Sequence, residues 1–297
     1  MSILEKRAEI LDCVRDFFKK NNFLELETPI RLPAVIPEAH IDPFESEAWF
    51  LQASPELCMK RVIARGYDKI FQICKCFRKD ERSDKHLPEL TMLEWYAVNE
   101  TYLDLMNTCQ NLIRHIAARM KTGTIIKYQD TRIDIEQDFI KLTIKDAFLQ
   151  FTGKTMEKAC ASGRFDEIMA FEIEPNLGID QPVFLYDYPL STGSLARAKP
   201  DNPLLVERFE LYIAGIELAN GFSELIDVQE QKKRFKTELK SRAGMGRKNI
   251  PMPEKFLKDL ENMPETAGIA MGLDRLVMVF CNLISIDKAV AFTPEQL

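Results

Sequence analysis

Histidine is almost missing from this 297-residue chain. Only His40, His86 and His115 occur, too scattered to assemble a zinc site. The seven cysteines, at positions 13, 58, 74, 76, 109, 160 and 281, form no C-x-x-C pair. Without an export signal they read as free thiols of a reducing, cytoplasmic compartment. Cys74 and Cys76 invite a metal reading. However, F-Q-I-C-K-C-F alternates like a strand, so both thiols should face one side and pack as small apolar groups. A run of about 18 apolar residues is absent, which excludes a membrane-spanning helix. The N-terminus, M-S-I-L-E-K-R-A-E-I, carries charge where a signal peptide needs an apolar stretch. Neither G-x-G-x-x-G nor a P-loop occurs, which removes the commonest nucleotide cradles. Positive charge is not in excess: 40 Lys and Arg face 46 Asp and Glu, a net charge of −6. Nucleic-acid surfaces usually show a basic excess or stripe. The one basic run, Lys232–Lys236, reads as a solvated helix face.

What is present is the composition of an ordinary soluble globular protein, 46 % hydrophobic and 29 % charged. Apolar spacing predicts a helix over 3–20, ended by Asn21-Asn22. A short strand stops at Pro29, and 49–53 reads as another strand. A helix over 55–64 is expected, with Ser54 as N-cap and Pro55 in its first position. Residues 69–78 and 89–98 alternate as the arms of a long hairpin around a charged loop. A helix over 102–120 follows. Residues 121–180 read as a helical insertion or subdomain, with helices near 143–150 and 163–173. Residues 182–226 are strand-rich, helices are expected near 228–242 and 254–261, and 266–271 reads as a strand turning at Gly272 into a helix over 273–281. The pattern predicts an α+β fold, an antiparallel sheet flanked by helices, over the whole of 1–297.

Three stretches carry chemistry. In the hairpin, Arg78 ends an apolar strand and can reach an anion, while Glu94 and Tyr96, two apart, share one face with Trp95 on the other. In V-E-R-F-E-L-Y-I-A-G-I-E-L-A-N-G-F-S-E, a turn at Ala214-Gly215 is expected to bring Glu210 and Glu217 together across the strands. Such carboxylates repel unless a cation lies between them, which suits Mg²⁺ with nucleotide phosphates. Asn220-Gly221 competes as a hairpin turn. Otherwise Gly221 serves to let backbone approach a ligand. Arg275, at the start of a helix, suits a phosphate or the face of a purine.

Together, and in this order, these stretches resemble the three signature motifs of class II aminoacyl-tRNA synthetases. Pro29 stands for the first motif, Phe77-Arg78 opens the second, and Gly272-Leu273-Asp274-Arg275 is the third. T-M-L-E-W-Y and N-G-F-S-E-L resemble the lysine branch. The resemblance runs from about residue 5 to 295, with no room ahead of it for the anticodon-binding OB domain of that branch. That pattern, with Ala270 in G-I-A-M-G-L-D-R and the stretch Y-D-Y-P-L-S-T-G-S-L-A, resembles the truncated paralogues that ligate (R)-β-lysine to elongation factor P.

The resemblance implies ATP-dependent formation of a lysyl- or β-lysyl-adenylate, transfer to a lysine side chain of elongation factor P, Mg²⁺ with ATP, and a homodimer. It implies no anticodon recognition and no membrane. Ser54, Pro55, Glu56 and Glu94 match the reactive-end amine site. Tyr96 and Glu224 match the readers of the distal ammonium, and Asn220 matches a substrate contact. Ala270 matches the pocket floor. Arg78 and Arg275 match the arginines on the α-phosphate and ATP. Lys79, Asp80, Glu81, His86, Leu87 and Leu90 border the ATP site, with Leu218 and Gly272. Glu210 and Glu217 match metal ligands, and Glu217 also borders ATP. This chain departs from the pattern in having F-R-K-D-E for F-R-N-E, so that Asp80 or Glu81 reads adenine. It also has Leu90 where many members place a phenylalanine that stacks on adenine. A truncated tRNA-directed lysyl-tRNA synthetase and an inactive lysine-binding paralogue remain as alternatives.

Overall fold

The computed structural model describes all 297 residues, Met1–Leu297. Helix α1 (Ile3–Lys20) lies where apolar spacing places it, and Ser2 with Glu5 closes its first turn in a capping box. The chain continues through β1 (Leu24–Glu25), β2 (Arg31–Leu32), β3 (Glu45–Ser46), β4 (Trp49–Leu51) and α2 (Glu56–Ile63). The hairpin β5 (Lys69–Phe77) and β6 (Glu89–Val98) follows, then α3 (Tyr102–Arg119). Next come β7 (Ile125–Tyr128), β8 (Thr131–Asp134), β9 (Ile140–Thr143), α4 (Ile144–Thr152), α5 (Met156–Ala161) and α6 (Phe165–Ile168). Strands β10 (Val183–Pro189), β11 (Leu205–Ile213) and β12 (Ile216–Ser223) precede α7 (Val228–Gly244) and α8 (Glu254–Leu260). The chain closes through β13 (Thr266–Gly272) and α9 (Leu273–Phe280). Residues 121–180, read from the sequence as helical, thus hold three strands beside their helices.

Eight strands form one sheet in the order β1-β5-β6-β13-β12-β11-β10-β9. The six inner strands are antiparallel, and a short parallel strand closes each edge, β1 on β5 and β9 on β10. The α+β class expected from the sequence holds, with a sheet that is mixed at its margins. Period-2 alternation gives this sheet two unlike faces. On the back, Trp95, Phe71, Phe209 and Ile269 pack under α1, α3 and α9. Phe18 of α1 stacks on Phe71 at 4.8 Å and lies 5.0 Å from Trp95. The front carries Glu94, Tyr96, Gly268, Ala270 and Asn220 in register on adjacent strands.

The β11–β12 hairpin turns at Ala214-Gly215, both at positive φ (54° and 67°), the twist sense that a two-residue turn needs. Asn220-Gly221 lies inside β12 and is not a turn. Gly221 borders neither cavity and faces the back of the sheet. A Cβ there would meet the Phe209 ring at 2.8 Å and Ile269 Cβ at 3.0 Å, so the glycine serves core packing. The expected facing of Glu210 with Glu217 is also corrected. A tight turn pairs Ile213 with Ile216 and Tyr212 with Glu217, and a bulge between Tyr212 and Leu211 then moves Glu210 opposite Asn220. The two glutamates share the front face as diagonal neighbours.

Asp274, buried in α9, accepts from the Thr91 N–H at 2.7 Å and pairs with Arg7 of α1 at 2.7 Å. That bond fixes the third-motif helix to both β6 and α1. Replacement of Gly221 by alanine should cost about 1–3 kcal/mol through overpacking. Thermal unfolding should register this as a melting temperature several degrees lower; an unchanged value would show that the Phe209 ring is free to move aside.

Candidate active site

The front face of the sheet floors two cavities that meet. The inner, about 130 Å³, is bordered by Ser54, Glu56, Glu94, Tyr96, Phe222 and Gly268. The outer, about 330 Å³, is bordered by Glu81, His86, Leu87, Leu90, Glu217 and Arg275, with Leu218 and Gly272 at its floor. Glu38, Arg78, Arg208, Asn220 and Ala270 border both. Lys79 and Asp80 border neither, and both are exposed. Glu81, rather than Asp80, therefore faces the outer cavity.

Two irregular segments roof these cavities, and arginines of α7 hold them there. Arg242, fully buried, donates to the carbonyls of Glu38 (2.7 Å) and Ile41 (2.6 Å) and to Asp42 Oδ1 (2.7 Å). The strap 36–42 is tied to the hairpin loop by Lys79 N–H donating to the Asp42 carbonyl at 2.9 Å. Arg234 donates to the carbonyls of Gly193 and Ala196 at 2.9 and 2.8 Å, fixing the second roof segment. Arg234 is thus a structural anchor inside a run that the sequence reads as a solvated face.

In the inner cavity, Ser54 is not the N-cap of α2; Pro55 is, and it borders neither cavity. Ser54 Oγ nevertheless accepts from the Glu56 N–H at 3.0 Å and donates to Glu94 Oε1 at 2.6 Å. Glu94 Oε2 accepts from Tyr96 Oη at 2.9 Å. Burial pushes the Glu94 carboxyl up to about 8, reinforced by the charge of Glu56 and opposed by those two donors. Burial likewise lifts Glu224 to about 8, with Lys60 the chief opposing influence, and Glu38 to about 7. Glu224 lies behind the cavity wall, fully buried. Its Oε1 lies against the Cα of Gly268, where any side chain would strike both it and the Tyr96 ring.

At the junction Arg208 is fully committed. It donates to Glu210 Oε1 (2.6 Å), Asn220 Oδ1 (3.1 Å) and the Thr192 carbonyl (2.6 Å), and lies 4.5 Å over the Tyr188 ring. Arg78 is not. Its Nε is buried with no acceptor, and its one ionic neighbour is Glu81 at 3.8 Å. The Arg78 guanidinium borders both cavities, is 28 % exposed and donates to no group of the chain, so it is equipped for an anion that the chain itself does not supply.

At the far end of the outer cavity, Arg275 donates to the carbonyls of Glu217 (2.8 Å) and Lys85 (3.1 Å) and to His86 Nε2 (2.6 Å). Burial and Arg275 lower the pKa of His86. The neutral ring therefore accepts on Nε2, which leaves its Nδ1 proton for Ser83 Oγ at 2.8 Å. His86 orients Arg275.

Glu210 Oε2 accepts from Tyr188 and Tyr212 at 2.5 and 2.6 Å. Burial and then the charge of Glu217 raise its pKa, and Glu174 rises to about 7 through burial, Glu210 and Glu217. Of the two expected metal ligands only Glu217 opens on the outer cavity; Glu210 borders neither cavity, and both its oxygens are taken by Arg208 and the two tyrosines.

Three residues of the site escape a reading of the sequence. Arg208 lies two positions before Glu210 on one strand face, and Lys60 four after Glu56 on one helix face, so each carried a periodic signal. Glu38 sits in an irregular strap and carried none.

The chain matches the family model of class II tRNA synthetases (D, K and N) over residues 1–296. It is 35 % identical to a protein of Pectobacterium atrosepticum named elongation factor P–(R)-beta-lysine ligase, over 99 % of this chain and 95 % of that one. A Vibrio atlanticus protein of the same name is 35 % identical over 97 % of this chain and 94 % of its own. A lysine–tRNA ligase of Vesicomyosocius okutanii is 34 % identical, and the chain spans 63 % of its length. No helix is long and apolar enough to cross a membrane. The two cavities, one walled by carboxylates and one ending at Arg275, stand on a sheet of a known kind: the chain belongs to the class II tRNA synthetases of the D, K and N group, among relatives of the elongation factor P–(R)-β-lysine ligases.

Proposed function

We propose that this protein activates lysine or (R)-β-lysine with ATP and transfers it to a lysine side chain of elongation factor P in the cytoplasm. The observation that carries the reading is the unpartnered Arg78 guanidinium where an acid-walled cavity opens into a larger one. Amines of the amino acid fit the inner cavity, with Glu56 and Glu94 at the reactive end and Tyr96, backed by the buried Glu224, at the distal ammonium. Its carboxylate then lies at the junction, beside Arg78 and the α-phosphate of a nucleotide in the outer cavity. A carboxylate oxygen attacks the α-phosphorus and pyrophosphate leaves. A neutral lysine amine of the acceptor then attacks the acyl carbon and AMP leaves. Arg78 and Arg275 stabilise phosphate charge, His86 keeps Arg275 in place, and the tied roof holds the reactants in line. Mg²⁺ bound with ATP would be held from Glu217, which opens on the outer cavity, with Glu210 behind it, and would neutralise phosphate charge. The acceptor follows the printed names of the relatives and the absence of a basic excess (net charge −6).

Pyrophosphate exchange should proceed with a lysine isomer and without tRNA, and elongation factor P should gain the mass of that residue in an ATP-dependent reaction. Exchange with no lysine isomer would falsify the enzyme reading. Charging of tRNA-Lys without a mass shift on the factor would make the chain a synthetase.

Ala270 borders both cavities and pairs with Glu94 and Asn220. Ala270→Gly enlarges the floor by one methyl, worth about 1–3 kcal/mol of discrimination in a tight pocket. The ratio of kcat/KM for β-lysine over α-lysine should fall, with little change in melting temperature. A constant ratio would reduce the alanine to packing.

The raised carboxyls set the pH response. In the amine pocket, Glu94 and Glu224 hold protons near neutrality, each at about 8. An arriving ammonium needs them ionised, so binding expels protons. Lysine affinity should therefore rise as pH increases from about 6 to 8, by up to roughly tenfold per unit for each proton released. Titration calorimetry in buffers of different ionisation heat reports that proton count; affinity flat or falling over this range would contradict the assignment.

A further inference from the structure

Lys60 is a lysine where almost none is expected. It points from α2 into the wall behind the inner cavity and is 2 % exposed. Its ammonium contacts two carboxylates at once, Glu56 Oε1 from its own helix and Glu224 Oε2 from the end of β12. It also lies 5.1 Å over the Phe222 ring. Burial works to lower its pKa, but Glu224 and Glu56 outweigh burial and hold the ammonium charged. Glu224 Oε1 is buried with no donor, beside Gly268.

The charge around this cavity then has a definite count. Three carboxylates, Glu56, Glu94 and Glu224, surround the inner cavity and its back wall, and the chain supplies one cation among them, Lys60. Arg78 and Arg208 lie at the junction, outside this count: Arg208 is already paired with Glu210 at 2.6 Å, and the nearest carboxylate to Arg78 is Glu81 at 3.8 Å. Buried carboxylates left without counter-charge take up protons instead. A diamino acid brings two ammonium groups, and with Lys60 these balance the three carboxylates.

We infer that Lys60 is a positioning and specificity residue of the amine pocket, a built-in third cation that locks Glu56 and Glu224 in place and sets at two the number of positive charges the substrate brings. The inference rests on the activation of a diamino acid proposed above. It goes further by giving a group that touches no substrate control over which substrates are held. Lys60 ties together the two carboxylates, Glu56 and Glu224, that the proposed reading assigns to the two amines. Without it, Glu224 loses its only counter-charge and faces Tyr96 and the charges of Glu56 and Glu94 across a dry wall.

The test compares Lys60→Arg, Lys60→Gln and Lys60→Met with the wild type in pyrophosphate exchange and in calorimetric titration with lysine and with norleucine. Each is run from pH 6 to 9, with melting temperatures measured in parallel. Lys60→Met and Lys60→Gln should raise the lysine KM roughly tenfold at neutral pH, the loss expected when a charge-assisted partner is removed. They should leave kcat at saturating lysine and the KM for ATP near wild type. Their lysine affinity should keep rising with pH above 8, where the wild type levels off, because Glu224 then ionises later. Discrimination against norleucine should shrink, while Lys60→Arg, which keeps the charge, should stay near wild type in KM and pH profile.

If Lys60→Met fails to fold, the Arg–Gln pair decides: equal lysine KM values and pH profiles in those two variants overturn the inference, as does a wild-type profile in folded Lys60→Met. A wild-type protein that binds no lysine overturns the functional reading and this inference with it. A wild type that binds lysine normally beside unaffected variants overturns this inference alone.

Discussion

Everything on the front of the sheet follows from one constraint: carboxylates removed from water must find a counter-charge or keep a proton. Glu56, Glu94 and Glu224 sit within or just behind one small cavity, and Glu174, Glu210 and Glu217 cluster nearby. The chain answers with Lys60 behind the first group and Arg208 within the second. It also places tyrosine hydroxyls as neutral donors, Tyr96 on Glu94 and Tyr188 with Tyr212 on Glu210. These compensations are incomplete, and the raised carboxyls record the remainder. A stable protein keeps such a remainder where a cationic ligand or metal completes it.

Holding like charges together needs a stiff support, and the back of the sheet provides it. Trp95 lies between Glu94 and Tyr96 on β6 and packs on the back face with Phe71 of β5 and Phe18 of α1. Asp274 contributes from below. By taking the Thr91 N–H and the Arg7 guanidinium it pins α9, and so the next residue, Arg275, to the strand that carries Glu94 and Tyr96. A front-face residue therefore cannot shift far without disturbing a close-packed core.

How much of this was legible in the sequence depended on periodicity. The β5–β6 hairpin, α1 and the strand–glycine–helix at Gly272 are long or strongly patterned, and each lies where its pattern places it. The sharing of one face by Glu94 and Tyr96 follows from the same alternation. The short strand before Pro29 is β1, but nothing in two residues announces its parallel pairing with β5, and β9, four residues long, is too short for a pattern to register. The Glu210–Glu217 pairing failed because register is set by the turn and by a bulge, and no side-chain type announces a bulge in advance. Ser54 misled because a serine before Pro55 has the chemistry of a cap, while its hydroxyl bonds Glu94 as well as the helix. Glu38 was illegible because the strap that carries it has no period. Its position is dictated by Arg242, about two hundred residues further along the chain.

The five residues shared by both cavities make the two compartments parts of one electrical circuit. A charge arriving on either side of Glu38, Arg78 and Arg208 changes the potential felt on the other, because the same guanidiniums and the same carboxyl form the partition. If amino acid and nucleotide occupy these compartments as proposed, their binding is coupled, and thermodynamic reciprocity requires that each alter the affinity of the other by the same factor. Arg78, which donates to no group of the chain, is the point of that partition at which an anion on either side is felt on the other.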